Sequence, residues 1–425
     1  MDCSRLAVPV DWAHPGGPKL TLALRRHHAT GTRKGSLVLN PGGPGGSGVE
    51  FLPDAVAVFG KDLVAAYDLI SWDPRGVGGS SPLTCPAAAN AALAKVDASP
   101  DTLAERTAQE AATGRWAHAC ATASGPLFGH VDTISTARDL DAIRVALGEK
   151  KLNYGGFSYG TRIGLFYADL FPRRVGRMLL DSTVDPANDD AAFLAGQTVS
   201  LDRALTDYLT SCRDRAGCPL RGVSLSVARQ RIAALIKAAD APGGVRQEDI
   251  IGAVTALLTT PKTWPALDTV LTGLLNGDTN VLELYQGGAG PDVANLTINC
   301  MDLPDSRSGR QVLADAARAA RVNPVLGWEI ASGPACPQWP TPAVVHPHLV
   351  TAAGAAPILV VGTTRDSATP FEWAVSTASH LSSGRLLTRV GSGHVAYSRN
   401  ACVTAAVDRY FIDGRLPAEG AVCRD

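Results

Sequence analysis

The chain has 425 residues, 45% hydrophobic and 19% charged, with a formal net charge of −1. That composition suits a globular enzyme rather than a disordered or coiled-coil chain, and without a lysine- and arginine-rich run there is no electrostatic footprint for nucleic acid or an anionic membrane. No apolar run approaches the roughly 18 residues that a spanning helix needs, so no membrane span is expected.

The chain opens Met1-Asp2-Cys3-Ser4-Arg5 and passes directly into strand-like sequence, with no basic and apolar leader in view. Leu20–Arg26 and Ser36–Asn40 read as strands, and a glycine-rich stretch, Asn40-Pro41-Gly42-Gly43-Pro44-Gly45-Gly46-Ser47-Gly48, follows the second. Leu69–Trp72 is the next strand. A small alanine-rich insertion, Pro82 to His130, carries Cys85 and Cys120. Then come a helix over Thr133–Leu147, a strand over Lys151–Tyr154, the pentapeptide Gly156-Phe157-Ser158-Tyr159-Gly160, a helix over Thr161–Leu170 and a strand over Met178–Asp181. From Ala187 to Pro347 the pattern is helical and rich in alanine and leucine. Gly/Pro loops such as Ala241-Pro242-Gly243-Gly244 and Gly287–Pro291 interrupt it. Strands resume at Pro357–Gly362 and Arg385–Val390, alternating with helices near Phe371–Leu381 and Ala401–Phe411. The run Ile358-Leu359-Val360-Val361 suits a strand buried on both faces. Strands and helices that alternate at both ends of the chain imply one mostly parallel sheet flanked by helices. The middle block then reads as a cap inserted between two strands of that sheet, the other reading being an independent helical domain.

None of the nine cysteines forms a C-x-x-C pair, which argues against a zinc ribbon or a thioredoxin-like site. Proximity along the chain suggests disulfides Cys212–Cys218 and Cys402–Cys423, with Cys85–Cys120 and Cys300–Cys336 as longer pairs and Cys3 left over. Disulfides imply export, to the medium or the cell envelope, with any signal segment already removed; a cytoplasmic protein with buried thiols is the less favoured reading.

Glycines on both sides of Ser158, between a strand and a helix, have the form of a nucleophile elbow. A serine hydroxyl needs a base to take its proton and a third group to orient that base. Asp366 follows the Pro357–Gly362 strand, and His394 follows the next strand in Gly391-Ser392-Gly393-His394. The order serine, acid, histidine is that of an α/β-hydrolase fold, in which loops at the carboxyl ends of parallel strands converge on one edge. Asp181 is the second candidate for the acid. His346 and His348 lack a neighbouring carboxylate or cysteine set and are poor metal candidates. For the oxyanion, one backbone N–H should come from Tyr159 and another from the glycine loop. That loop also contains Gly43-x-Gly45-x-x-Gly48 with Asp68 downstream, a dinucleotide fingerprint, but Pro44 within the turn and the unexplained Ser158, Asp366 and His394 weigh against it. No lysine follows the glycines, so a phosphate-binding P-loop is excluded.

Four segments together resemble the tripeptidyl aminopeptidase and prolyl iminopeptidase group of serine α/β-hydrolases. They are the glycine loop Asn40–Gly48, Asp73-Pro74-Arg75-Gly76-Val77-Gly78, Gly155-Gly156-Phe157-Ser158-Tyr159-Gly160-Thr161 and Gly393-His394. Val8-Pro9-Val10-Asp11-Trp12 and Leu180-Asp181-Ser182-Thr183-Val184-Asp185-Pro186 extend the likeness over most of the chain, and the cap matches least. The resemblance implies Ser158 as nucleophile, Asp366 and His394 as its partners, and Gly43 and Tyr159 as oxyanion donors. Pro41 stands where the iminopeptidases usually have histidine, which suits the tripeptidyl branch. Ser182 stands where that branch commonly has glycine.

On this reading the organisation is residues 1–186 as the first part of an α/β-hydrolase core with the insertion at about 82–130, residues 187–347 as the helical cap, and residues 348–425 as the second part of the core. An aminopeptidase must recognise a free ammonium group, for which a carboxylate facing the pocket is the simple solution. Asp302, in Asn299-Cys300-Met301-Asp302, resembles a recurring cysteine-x-aspartate element of the family, and Asp305 and Glu329 are alternatives. The expected activity is a serine exopeptidase that releases short peptides, of tripeptide type, from a free N-terminus through an acyl-enzyme. It needs no metal or organic cofactor. An esterase, lactonase or acyl-transfer role with the same triad is the alternative, and a non-catalytic binding or scaffolding protein is a third class.

Overall fold

A computed structural model describes residues 1–239, 245–283, 292–333 and 336–425. Nine strands form a single sheet: β1 (Asp2–Pro9), β2 (Lys19–His27), β3 (Gly35–Asn40), β4 (Tyr67–Trp72), β5 (Leu152–Phe157), β6 (Val175–Asp181), β7 (Ile358–Arg365), β8 (Gly384–Ser392) and β9 (Val422–Arg424). Their order is β1-β2-β4-β3-β5-β6-β7-β8-β9. The pairings of β1 with β2 and of β2 with β4 are antiparallel. From β4 to β9 every neighbouring pair is parallel.

Side chains alternate across a strand, so a parallel strand with helices on both faces must be apolar at successive positions. The central strands do this and divide their residues between two cores. Val38, Ile70, Met178, Leu180, Ile358 and Val360 pack on one face, with Ile163 and Phe166 of the helix Tyr159–Leu170 and Leu140 of the helix Thr133–Ala146. Leu37, Leu39, Leu69, Leu179, Leu359 and Val361 pack on the other, with Leu52 of the helix Gly48–Val58 and Val407 and Phe411 of the helix Ala401–Asp413. The strand β2, near the sheet edge, keeps only every second residue buried, Leu20, Leu22 and Leu24.

Between β6 and β7 the chain is helical, with helices Asp190–Cys212, Leu225–Ala238, Gln247–Leu257, Trp264–Leu275, Val293–Asp302, Gly309–Val322 and Gly327–Ala331 among the described residues. Most of this block packs on itself, around Leu205, Tyr208, Ile232, Val254, Leu267, Leu271 and Leu326. The helix Val293–Asp302 does not. Its Ala294, Ile298 and Met301 belong to the core beneath the sheet. The two Gly/Pro loops expected at Ala241–Gly244 and Gly287–Pro291 lie outside the described residues.

All four expected disulfides are formed: Cys85–Cys120, Cys212–Cys218, Cys300–Cys336 and Cys402–Cys423. Cys3 is free and exposed. Among the described residues no helix is long and apolar enough to cross a membrane. Three local differences from the sequence expectation matter. The strand β5 runs on to Phe157 and the following helix begins at Tyr159, so the turn at Ser158 is a single residue. The helices Gly48–Val58 and Lys61–Ala66 were not expected, the first because Pro53 sits inside it. The short edge strand β9 was missed because three residues carry no periodicity, and Cys402–Cys423 holds it to the last helix.

Candidate active site

The residue between β5 and its helix is Ser158, with φ 55° and ψ −127°, in a region that a non-glycine residue enters at a cost. Its N–H donates to Asp181 O at 3.0 Å, and Thr161 closes the first turn by donating to Ser158 O from both N–H (2.9 Å) and Oγ1 (2.6 Å). The flanking glycines are needed for space. A Cβ on Gly156 would lie 2.4 Å from Gly160 O, and one on Gly160 would lie 2.7 Å from Asn40 O.

The acid and the histidine sit at the same edge. Asp366 directly follows β7 and is 2% exposed. Its Oδ1 accepts from Ala368 N and Thr369 N, both at 2.9 Å, and lies 2.8 Å from His394 Nδ1. Its Oδ2 lies 3.1 Å from the same nitrogen and accepts from Ser182 Oγ at 2.7 Å. Burial pushes the Asp366 carboxyl up, but the charge of His394 and the donors around it overcome this and hold it below the usual range. Burial likewise pushes the His394 imidazole down, and Asp366, by charge and hydrogen bond, more than restores it, leaving the imidazole above its ordinary value. Ser158, Ser182, Asp366 and His394 thus follow the carboxyl ends of four adjacent strands, β5 to β8. Among the described residues no hydrogen bond joins Ser158 Oγ to His394.

The glycine loop folds against the elbow. A Cβ on Gly42, where φ is +102°, would meet Phe157 O at 2.5 Å and Tyr159 N at 3.0 Å, so only glycine lets the two backbones come this close. Gly42 N–H donates to Asn40 Oδ1 at 3.0 Å. Gly43, Tyr159 and Ser158 line a common cavity of about 40 Å³, together with Arg162, Phe193, Asp302 and Thr369 among others.

Asp302 is in the wall of this cavity but is well supplied with donors. Its Oδ1 accepts from Thr133 N at 2.9 Å; its Oδ2 accepts from Thr133 Oγ1 and, at 3.5 Å, from Tyr159 OH, and lies 3.9 Å from Arg162 Nε. Burial pushes its carboxyl up to about 6. Asp305 is paired with Arg307, and Glu329 lies in the helix Gly327–Ala331. Asp181 ends β6 with both oxygens turned to the histidine loop, accepting from Ala396 N (3.0 Å) and Tyr397 N (2.8 Å), and burial pushes it up to about 6. His348 pairs with Asp169 near the surface. Asp68, the acidic position of the dinucleotide fingerprint, lies at the start of β4, at the opposite end of the sheet from the glycine loop, and is held by Arg33. The one cluster of metal-ligating type among the described residues is Cys212, Cys218 and Asp268, and its sulfurs are joined in a disulfide and offer no thiolate.

A family model described as TAP-like protein matches residues 323–423. Over 99% of the chain and 87% of the relative, the sequence is 36% identical to the serine protease Hip1 of Mycobacterium tuberculosis. It is 33% identical to the tripeptidyl aminopeptidase of Streptomyces lividans, over 100% of the chain and 83% of that protein. The chain belongs to the tripeptidyl aminopeptidase family of α/β-hydrolases. A carboxylesterase B of M. tuberculosis, 34% identical over 99% of the chain and 86% of its own length, stands in the same range. Among solved structures, a proline iminopeptidase of Mycobacterium smegmatis aligns over 97% of the chain and 100% of its own, with 14% identity and a TM-score of 0.45.

Within this family framework, several contacts at the site were not anticipated from sequence. The helical block reaches it at several points: Thr259 O accepts from His394 N at 2.8 Å, Asn295 Nδ2 donates to Pro44 O at 2.8 Å, and Arg162 Nη2 donates to Asp302 O at 2.8 Å. Asp207, on the first helix of the block, binds the Arg365 guanidinium and accepts from Ser392 Oγ at 2.9 Å, next to the acid and two residues before the histidine. No short motif marks such long-range partners.

Proposed function

We propose that the protein is a serine exopeptidase that removes short peptides, of tripeptide type, from a free N-terminus. Ser158 Oγ attacks the carbonyl, His394 takes its proton, and Asp366 holds the imidazole in the tautomer with Nδ1 protonated. The N–H groups of Gly43 and Tyr159 receive the oxyanion. The imidazolium then protonates the leaving amine, an acyl-enzyme remains, and water deprotonated by His394 releases it. The observation that carries this reading is the buried Asp366–His394 pair at the edge where Ser158 occupies a strained one-residue elbow.

Residues 187–347 serve as the cap over a core formed by 1–186 and 348–425. Asp302 is the carboxylate proposed for the substrate ammonium. Its Oδ2 already has hydroxyl donors, so the ammonium would share or displace them. The four disulfides support an exported protein, secreted or at the cell envelope. A second reading, an esterase or lactonase with the same triad, draws on the carboxylesterase relative. Hydrolysis rates on tripeptidyl arylamides, aminoacyl arylamides and short-chain esters separate the two. The exopeptidase reading expects tripeptidyl arylamides to lead in kcat/KM, and turnover of esters alone would overturn it.

A further inference from the structure

Ser182 is the first residue after β6 and is 1% exposed, with φ +60°, a left-handed conformation that glycine adopts far more cheaply. Its backbone extends the sheet by donating from N–H to Val361 O at 3.0 Å. Its hydroxyl does two things at once. It donates to Asp366 Oδ2 at 2.7 Å, well inside the 3.5 Å that separates it from Asp181 Oδ1, and it accepts the N–H of Val395 at 2.8 Å. One oxygen therefore ties the acid to the main chain immediately after His394.

The two oxygens of Asp366 are not equally supported. Oδ1 has two backbone donors besides the imidazole, whereas Oδ2 has Ser182 as its partner besides the imidazole. Removing the hydroxyl leaves Oδ2 with the imidazole alone, and also leaves the Val395 N–H without its acceptor. Val395 itself has φ +65°, so a loop already held in an unfavourable conformation loses one of its restraints. Asp181 supplies two more, at Ala396 and Tyr397, and Thr259 O and Arg365 O accept from His394 N and Gly393 N.

We propose that Ser182 is a positioning residue for the Asp366–His394 pair, fixing the carboxylate and the histidine loop against each other through a single hydroxyl. The inference rests on the triad reading above. It accounts for a serine at a backbone position that favours glycine: the hydroxyl offsets the conformational cost by what it contributes to the pair.

Two variants separate chemistry from folding. Ser182→Gly relieves the backbone and Ser182→Ala does not, yet both remove the hydroxyl. With a tripeptidyl arylamide, both should lower kcat by about tenfold to a hundredfold, the range for a hydrogen bond to a charged group, with KM changed less than about twofold. Ser182→Gly should melt above Ser182→Ala, which loses the same hydrogen bonds but keeps the left-handed backbone strain. Slow turnover in a thermally intact Ser182→Gly is the expected result, and kcat within about twofold in both variants would overturn the inference. Ser158→Ala, run alongside, should be inactive; activity there would instead remove the triad reading on which the inference stands.

Discussion

The sheet edge and the helical block contribute to the site in different ways. At the edge, Ser158, Asp366 and His394 are set by neighbouring parallel strands whose register the two cores fix, and each side chain follows its strand by a few residues. The block has a core of its own and reaches the site through long-range polar contacts: Thr259 to the histidine, Asn295 to the glycine loop, and Asp207 to Arg365 and Ser392. Its helix Val293–Asp302, which carries Asp302, shares the core beneath the sheet, as do Trp339 and Val345 near the end of the block. In the proposed reaction the chemistry therefore rests on the sheet, and substrate selection falls to the block that touches the same loops.

That contrast can be broken first at the acid. Asp366→Asn should lower kcat by about 10⁴-fold, because the wrong histidine tautomer is then favoured. Asp181→Asn removes an acceptor from the histidine loop without touching the imidazole and should cost far less, about tenfold; equal losses in steady-state kinetics would show that the acid had been misassigned. At Asp302 the two roles separate. Asp302→Asn should raise KM for free N-termini by about tenfold or more if the carboxylate holds the ammonium, since a charge-assisted bond is lost. A fall in kcat with KM unchanged would mean that it only steadies Tyr159. Weaker still, Asp207→Ala frees Arg365 and Ser392 from the block and should change kcat and KM together by a few-fold, with the melting temperature little altered. Finally, the base must be neutral to act, and Asp366 together with the more distant Asp181 holds the His394 imidazole above its ordinary 6.5 against burial and the nearby Arg399. The acid limb of kcat/KM should therefore lie above pH 6.5. A limb below that value would contradict the tight Asp366–His394 pairing.

How much of this was legible in the sequence follows the same division. The elbow, the glycine loop and the residues after β7 and β8 announce themselves locally, because tight turns demand glycine and buried parallel strands demand unbroken apolar runs. The helix expected from Thr161 begins at Tyr159, since Tyr159 and Gly160 look like turn rather than helix. The disulfides were readable by proximity, as the four pairs are separated by 6 to 36 residues. Ser182 stood out only as a departure from a common glycine. Its function needed Asp366, 184 residues away, and Val395, 213 residues away, to be brought to it by three strands. The surroundings of Asp302 were equally hidden, because Thr133, Tyr159 and Arg162 come from two helices remote in sequence.

In the proposed reaction Ser158 drives hydrolysis that begins at a free N-terminus. The most direct measurement compares a tripeptidyl arylamide with its N-acetylated form, each assayed with the unaltered protein and with Ser158→Ala. The expected result is turnover of the free tripeptide, at least about tenfold weaker kcat/KM for the acetylated form as a charge-assisted contact is lost, and no turnover of either by Ser158→Ala. Equal rates on both substrates, or activity that survives the loss of the Ser158 hydroxyl, would contradict it.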